Sequence, residues 1–208
     1  MVKGRKDYKK PSIKESVALK RYLAIMNRAA HFFETYFRNR VVYYGTELET
    51  IAVYFSATNF MHLCGVKYEK GAASFFDDCL NHHLVLEDMM IKRDGTTFQK
   101  LQVLASIDEL IGSHVYLTQA GRYLYLEFDY ALRTKKQILA LTLKDTSLKI
   151  VPQSLLDLKR QKSFPTGVPV QCIYAKTFHS DKVEVYYLEE NSSLSDFRDW
   201  KEYNKARR

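Results

Sequence analysis

Apolar residues recur at helical spacing through the first part of the chain. Between Ala18 and Phe37 they follow one another at intervals of three or four residues, which predicts a long amphipathic helix that ends near Arg40. Ser12 and Glu15 fit a capping box that marks the start of this helix. Its aromatic stripe is interpreted as a core-facing surface rather than a partner or cofactor face, because an exposed stripe of that size promotes aggregation.

Short strands and short helices follow this first helix. The β-branched and aromatic runs at 41–44 and 50–55 predict strands. A helical turn that carries Asn59 and His62 then ends at Gly65. Further helical patterns occupy 71–86 and 96–112.

The hydrophobic period changes from 3.6 to 2 at residue 122. Alternating runs cover 122–132, 137–144, 168–177 and 182–188, and 150–158 reads as a strand end followed by a helical turn. These runs predict an antiparallel meander of about four strands. The N-terminal helices would cover its apolar face, which makes the fold α+β. The predicted divisions are a basic arm and helix over 1–49, an α+β domain over 50–188, and a polar helical tail over 189–208.

Basic residues are concentrated in two segments of the chain. The formal net charge is +8, of which 1–21 and 122–182 each contribute +6, whereas 22–121 and 183–208 contribute −3 and −1. A basic region of this kind attracts polyanions such as RNA. A surface that only keeps the protein in solution accounts for the charge equally well.

The predicted sheet face combines tyrosines, carboxylates and a rim of lysines and arginines. Its solvent-side strand positions include Thr142 and Tyr174. Tyrosines stack on bases and cations hold phosphates, so the face resembles an RNA-binding surface, with an ordinary wet sheet face as the alternative. The candidate nucleic-acid-binding residues are Tyr123, Tyr125, Lys135, Lys136, Lys159, Arg160 and Lys162.

Several common kinds of site are excluded by the sequence. It contains no phosphate-binding loop, no dinucleotide-binding glycine motif, no nucleophile elbow and no zinc-protease motif. His82 and His83 are adjacent, so on a helix they point about 100° apart and make a poor metal pair. We therefore expect no metal and no cofactor.

The chain is expected to be cytoplasmic and to have no membrane partner. Its three cysteines lack metal-type spacing and are interpreted as free, mostly buried thiols in a reducing compartment. The basic N-terminus is not followed by the apolar region of a secretory signal, and no run reaches the length of a membrane span.

Four blocks carry a family resemblance: "NFMHLCGV", "GAASFFDDCL", "IVPQSLL" and "FPTGVPVQCIYAK". Together, over about residues 50–188, they resemble the phage-encoded barnase–EndoU–colicin–RelE-like nuclease domains of phages and mobile elements in Firmicutes. The resemblance implies a small metal-independent RNase-like fold, with helices packed on a four-stranded antiparallel sheet. It also implies a site role for His62, and the third block carries Ser154.

Metal-free RNA cleavage needs a base for the 2′-OH proton, a cation beside the phosphate and an acid for the leaving oxygen. The candidate catalytic residues for these roles are His62, Arg133, Ser154, Lys176 and Tyr186.

Two functions compete on this sequence. The first is a ribonuclease of phage or mobile-element origin that acts on host RNA in the bacterial cytoplasm. The second is a non-catalytic binder on an inactive nuclease fold that blocks a host defence system. The long aromatic helix favours the second slightly, since the minimal fold does not require it. A DNA-binding regulator is a weaker third reading, because no helix-turn-helix pair is evident. The expected partners are RNA or another polyanion, and a host defence protein or an immunity partner.

Overall fold

The capping box predicted at Ser12 forms and starts the first helix. The computed structural model describes residues 7–135, 138–159, 164–178 and 182–197. In it the Glu15 amide donates to Ser12 Oγ at 3.3 Å, and the Glu15 carboxylate accepts from the Ser12 amide at 2.8 Å. The single long helix predicted behind this box is wrong, because a turn at Arg21 and Tyr22 separates two helices.

The described residues form an α+β fold with five α-helices and three short 3₁₀ helices. The α-helices are α1 (Ile13–Lys20), α2 (Leu23–Tyr36), α3 (Ala57–Cys64), α4 (Gly71–Leu80) and α5 (Thr96–Leu104). The 3₁₀ helices are Leu86–Asp88, Ile107–Ile111 and Leu194–Phe197.

Fourteen strands are present among the described residues, and nine of them form one large sheet. The nine are β2 (Arg40–Gly45), β3 (Thr50–Tyr54), β6 (Val115–Thr118), β9 (Tyr130–Thr134), β10 (Leu139–Asp145), β11 (Ile150–Asp157), β12 (Val168–Pro169), β13 (Cys172–Thr177) and β14 (Val183–Leu188). A three-stranded sheet is built from β1 (Tyr8–Lys9), β4 (Val66–Tyr68) and β5 (Met89–Lys92), and a hairpin from β7 (Gly121–Tyr123) and β8 (Leu126–Phe128).

The large sheet is wider than the predicted four strands and is not wholly antiparallel. Its order is β12-β6-β9-β10-β11-β3-β2-β13-β14, and β11 pairs with β3 in parallel. The predicted helical turn after residue 150 is wrong, because β11 runs unbroken to Asp157. Leu155 packs in the main core and Leu156 against a cluster on the other face. A strand with both faces covered lacks the alternation that identifies strands from sequence.

The predicted strand 122–132 is divided by a hairpin turn. Leu124 has φ +53° and is exposed, and Tyr125 beside it is 94% exposed. The prediction of one alternating strand over 122–132 is therefore wrong at this turn. The hairpin predicted between β13 and β14 does form.

Both faces of the large sheet are covered. The main core lies between one face and the helices, and two smaller clusters, around Tyr43 and Tyr174 and around Phe128 and Phe164, cover the ends of the other face. Tyr174, predicted on the solvent side, belongs to the first of these clusters and is 4% exposed. Thr142, predicted on the same side, is 0% exposed.

The three cysteines are free and buried, as predicted. No helix within the described ranges is long and apolar enough to cross a bilayer. The division of the chain at residues 49 and 188 stays a prediction, and most of the predicted helical tail lies outside the described residues.

Candidate functional site

Helix α3 presents His62 on its last turn. At its start the Ser56 amide donates to Asn59 Oδ1 at 2.8 Å, while Ser56 Oγ accepts from the Thr58 amide at 3.2 Å. At its end Gly65 takes the left-handed conformation, with φ +68°. Asn59 and Gly65 therefore define the two ends of the helix. His62 lies between Asn59 and Gly65, on the last turn of the helix, and is exposed.

Helix α5 fixes the carbonyl end of α3 through two side chains. Thr97 Oγ1 donates to the Gly65 carbonyl at 2.6 Å and accepts from the Lys92 amide at 2.9 Å. Lys100 Nζ donates to the His62 carbonyl at 3.3 Å. A Cβ on Gly65 would lie 2.7 Å from Lys100 Cδ, so the absence of a side chain at this position makes room for the lysine.

Lys100 is a buried cation, since only 6% of the residue is exposed. Burial lowers the pKa of Lys100 to about 8, and the nearby positive charge of Lys92 acts in the same direction. The pKa of His62 is also lowered, first because part of the ring is removed from water and then because of Lys100 and Lys92. A backbone hydrogen bond with Gln153 opposes this effect. These effects favour the neutral imidazole, which is the form that is able to accept a proton.

His62 also lies beside an irregularity in the large sheet. The pairing of β10 with β11 shifts between Thr142 and Leu143, which leaves Gln153 as the extra residue of a bulge. Bulges interrupt the ladder and are common beside active sites. A neutral base and two nearby lysines at such a place suit proton transfer next to an anionic phosphate.

Ser154 follows the bulge but faces away from the helices. It is largely buried, and its carbonyl accepts from Thr142 Oγ1 at 3.2 Å. Ser154 pairs with Thr142, two residues from Ala140, which belongs to a cluster on the face opposite the main core. By the alternation of a pleated strand, Ser154 therefore projects from the other side of the sheet than the one α3 covers.

Arg133 is buried and bonded to backbone carbonyls. Its Nε donates to the carbonyls of Pro165 and Thr166 at 3.1 and 2.6 Å, and its guanidinium lies 4.4 Å from the centre of the Tyr116 ring. These contacts tie the segment around residue 165 to β9. Its donors are thus largely engaged within the protein.

The other two candidate catalytic residues lie towards the opposite edge of the sheet. Lys176 Nζ is 5.1 Å from the centre of the Tyr43 ring. The Tyr186 hydroxyl donates to the Tyr36 carbonyl and accepts from Arg40, both at 2.9 Å. The five predicted catalytic residues are therefore not one constellation, and His62 is the one that lies beside Lys100.

The candidate nucleic-acid-binding residues that the structure describes lie at one end of the sheet. Lys135 follows β9 and Lys159 follows β11, and both are exposed. The Leu158 amide donates to the Ile138 carbonyl at 3.0 Å, which brings these two chain segments together. Tyr123 donates to the Asp157 carbonyl at 3.1 Å. Tyr125 lies at the tip of the β7–β8 hairpin, and Lys136, Arg160 and Lys162 lie outside the described residues.

Lys92, Thr97 and Lys100 were missed by sequence reasoning. One signal was available, because Lys100 lies three residues after Thr97 and four before Leu104, on a stripe that would be buried if α5 packs on the core. No cluster of three or more His, Cys, Asp or Glu side chains suited to a metal occurs in the described part of the chain.

Comparison with known proteins identifies one family. The model of the phage-Barnase-EndoU-ColicinE5/D-RelE like nuclease4 family matches residues 25–192, a span that includes α3, α5 and β11. No curated protein and no solved structure matches the chain significantly.

Proposed function

Because the chain belongs to the phage-Barnase-EndoU-ColicinE5/D-RelE like nuclease4 family, we propose that it is a ribonuclease of phage or mobile-element origin in which His62 is the general base. The observation that carries this proposal is the placement of His62. The residue reaches solvent, while partial removal of its ring from water and the charges of Lys100 and Lys92 lower its pKa, and it lies beside the bulge at Gln153.

The proposed reaction assigns proton transfer and charge stabilisation to side chains rather than to a metal. His62 takes the proton of a ribose 2′-OH, whose oxygen attacks the adjacent phosphorus. The P–O5′ bond breaks, the leaving oxygen takes a proton from water, and the products are a 2′,3′-cyclic phosphate and a 5′-hydroxyl end. Lys92 and Lys100 place positive charge near the phosphate, where negative charge increases in the transition state.

RNA binding is proposed to use the basic end of the sheet. The exposed Lys135 and Lys159 flank chain segments that the Leu158–Ile138 hydrogen bond joins. Tyr125, exposed at the hairpin tip, offers a ring on which a base can stack. This assignment replaces the broad tyrosine-rich sheet face of the sequence prediction, because Tyr174 and Thr142 are covered.

The test compares RNA cleavage by wild type, His62→Gln and His83→Gln in EDTA. His83 is another exposed histidine and is a matched control, since it follows α4 and lies outside both the α3–α5 contact and the proposed RNA-binding end. We expect His62→Gln to reduce cleavage roughly 100-fold or more with little change in melting temperature, and His83→Gln to behave like wild type. Equal activity of His62→Gln per folded molecule would overturn the role of His62. Activity lost in EDTA and restored by magnesium would overturn the mechanism.

A non-catalytic binder of a host defence protein is the second candidate. It is favoured by the internal contacts of Arg133 and Tyr186, two side chains that a catalytic set was expected to use. On this alternative the wild-type chain binds a protein partner, leaves RNA intact and does not arrest growth when expressed. Growth arrest that His62→Gln relieves would favour the enzyme.

A further inference from the structure

The cation beneath His62 has no carboxylate partner in the described part of the chain. Lys100 Nζ donates to the His62 carbonyl, and no carboxylate of a described residue lies within ion-pair distance of it. Asp94 contributes electrostatically, but its Oδ1 accepts from the amide and hydroxyl of Thr96 at 3.0 and 2.7 Å, and so it is engaged with the first residue of α5. A buried ammonium group without an ion-pair partner is unfavourable for stability, which points to a role in function.

The surroundings hold Lys100 in one place. The side-chain-free Gly65 lies against its stem, and Thr97, one turn earlier on α5, bonds the Gly65 carbonyl at 2.6 Å. The last turn of α3 is thus attached to α5 at two carbonyl groups three residues apart, those of His62 and of the capping Gly65. The orientation of His62 depends on this attachment, since the histidine is in the turn that is fixed.

We propose that Lys100 is a positioning residue for His62: its buried ammonium group fixes the carbonyl end of α3 and places positive charge near the turn that carries the imidazole, so that the ring is held in place to act as a base. The inference rests on the proposed function, because it explains how the base is prepared. The other groups that act electrostatically on His62 are Lys92 from β5 and the backbone of Gln153 from β11. Those that act on Lys100 are Lys92, Asp94 and the buried Cys64.

The experiment follows the titration of His62 itself by NMR of a histidine-labelled protein, with the signal assigned by its loss in His62→Gln. The variants are Lys100→Met, which removes the charge at similar volume, and Lys100→Arg, which keeps it. Lys149→Met is the control, since Lys149 is an exposed lysine in the β10–β11 turn. We expect the His62 midpoint to move upward in Lys100→Met and to stay near the wild-type value in Lys100→Arg and Lys149→Met.

RNA cleavage supplies the second measurement. We expect kcat to fall roughly 10-fold in Lys100→Met, with the acid limb of the pH profile displaced in the same direction as the NMR midpoint. A purely structural lysine would lower the amount of folded protein without moving either midpoint. If Lys100→Met does not fold, Lys100→Gln keeps a donor for the His62 carbonyl while removing the charge, and the same shift is expected.

The outcomes separate this inference from the proposed function. Coincident His62 midpoints in wild type and in the neutral variants would overturn the role of Lys100, whether or not RNA is cleaved. An upward shift in a protein that cleaves no RNA would leave the Lys100–His62 coupling intact and overturn the ribonuclease assignment.

Discussion

Replacing Lys100 with methionine should stabilise the folded protein at neutral pH, because folding removes this charge from water. Burial lowers the pKa of Lys100 from 10.5 to about 8. At about 1.36 kcal/mol per pH unit, this difference corresponds to roughly 3 kcal/mol of destabilisation of the folded state at pH 7. Methionine fills a similar volume and carries no charge to desolvate.

The lost hydrogen bond offsets part of this gain. The bond from Lys100 Nζ to the His62 carbonyl contributes about 1 kcal/mol. That carbonyl also accepts from the Gly65 amide at 3.0 Å, so it keeps a partner in the variant. We therefore expect the free energy of unfolding of Lys100→Met to exceed that of wild type by about 2 kcal/mol at pH 7.

The difference should disappear as the pH rises. Below about pH 8 Lys100 is charged in both states and the full penalty is present. Between about 8 and 10.5 the unfolded chain binds more protons than the folded protein, so wild-type stability gains relative to the variant. Near pH 10.5 the two proteins should be about equally stable, or wild type slightly the more stable.

Urea unfolding of wild type, Lys100→Met and Lys149→Met at pH 7 and at the highest pH where folding is reversible measures these differences. The difference in unfolding free energy between two of these proteins is free of the contributions of the tyrosines and other lysines that titrate in the same range, because those contributions are common to both. A Lys100→Met protein less stable than wild type at pH 7, by an amount independent of pH, would refute the reasoning. Lys100 would then be a helix cap and not a desolvated charge.

Three other outcomes are expected. Arg133→Gln should lower the free energy of unfolding by about 1–3 kcal/mol, because it removes donors from buried carbonyls. It should leave the salt dependence of RNA binding unchanged, and a smaller salt slope in the variant would instead show that Arg133 contacts a phosphate. Gly45→Ala should lower the melting temperature, since the added Cβ would lie 2.6 Å from Phe197 Cδ1. The control Gly112→Ala has open space around its Cβ and should not lower it, so equal melting temperatures of the two variants would contradict this packing. RNA affinity should fall steeply with salt if Lys135 and Lys159 contact phosphates, and a flat dependence would argue against the basic end of the sheet.

Features that depend on neighbours in the sequence were predictable. The capping box at Ser12 forms, and Gly65 ends the helix that carries His62. The hairpin between β13 and β14 also forms where alternating runs flank a short connection. These features follow from hydrogen bonds and side-chain spacing within a few residues, so their physical causes are present in the local sequence. The motif blocks likewise identified the family, because family identity is carried by residues in order along the chain.

The position of β11 and the covering of the second sheet face depended on the whole fold. Leu155 and Leu156 pack on opposite faces, and this could not be read from their order, because a strand buried on both sides has no polar alternation. Tyr174 and Thr142 have residue types common on wet sheets, yet both are buried, and Tyr174 packs with the distant Phe197. Whether a strand position is exposed depends on what packs over it.

The candidate site also combines a feature set by neighbouring residues with features set by the whole fold. The local spacing of Asn59, His62 and Gly65 was enough to place His62 on the last turn of a short helix that Gly65 ends. Only the tertiary structure brought Lys100, 38 residues later, beneath the carbonyl of that turn, and gave Arg133 backbone carbonyls as partners. The protonation of a histidine and the availability of an arginine depend on burial and on charges a few ångströms away in space. Those distances are set by how the helices and the sheet pack together.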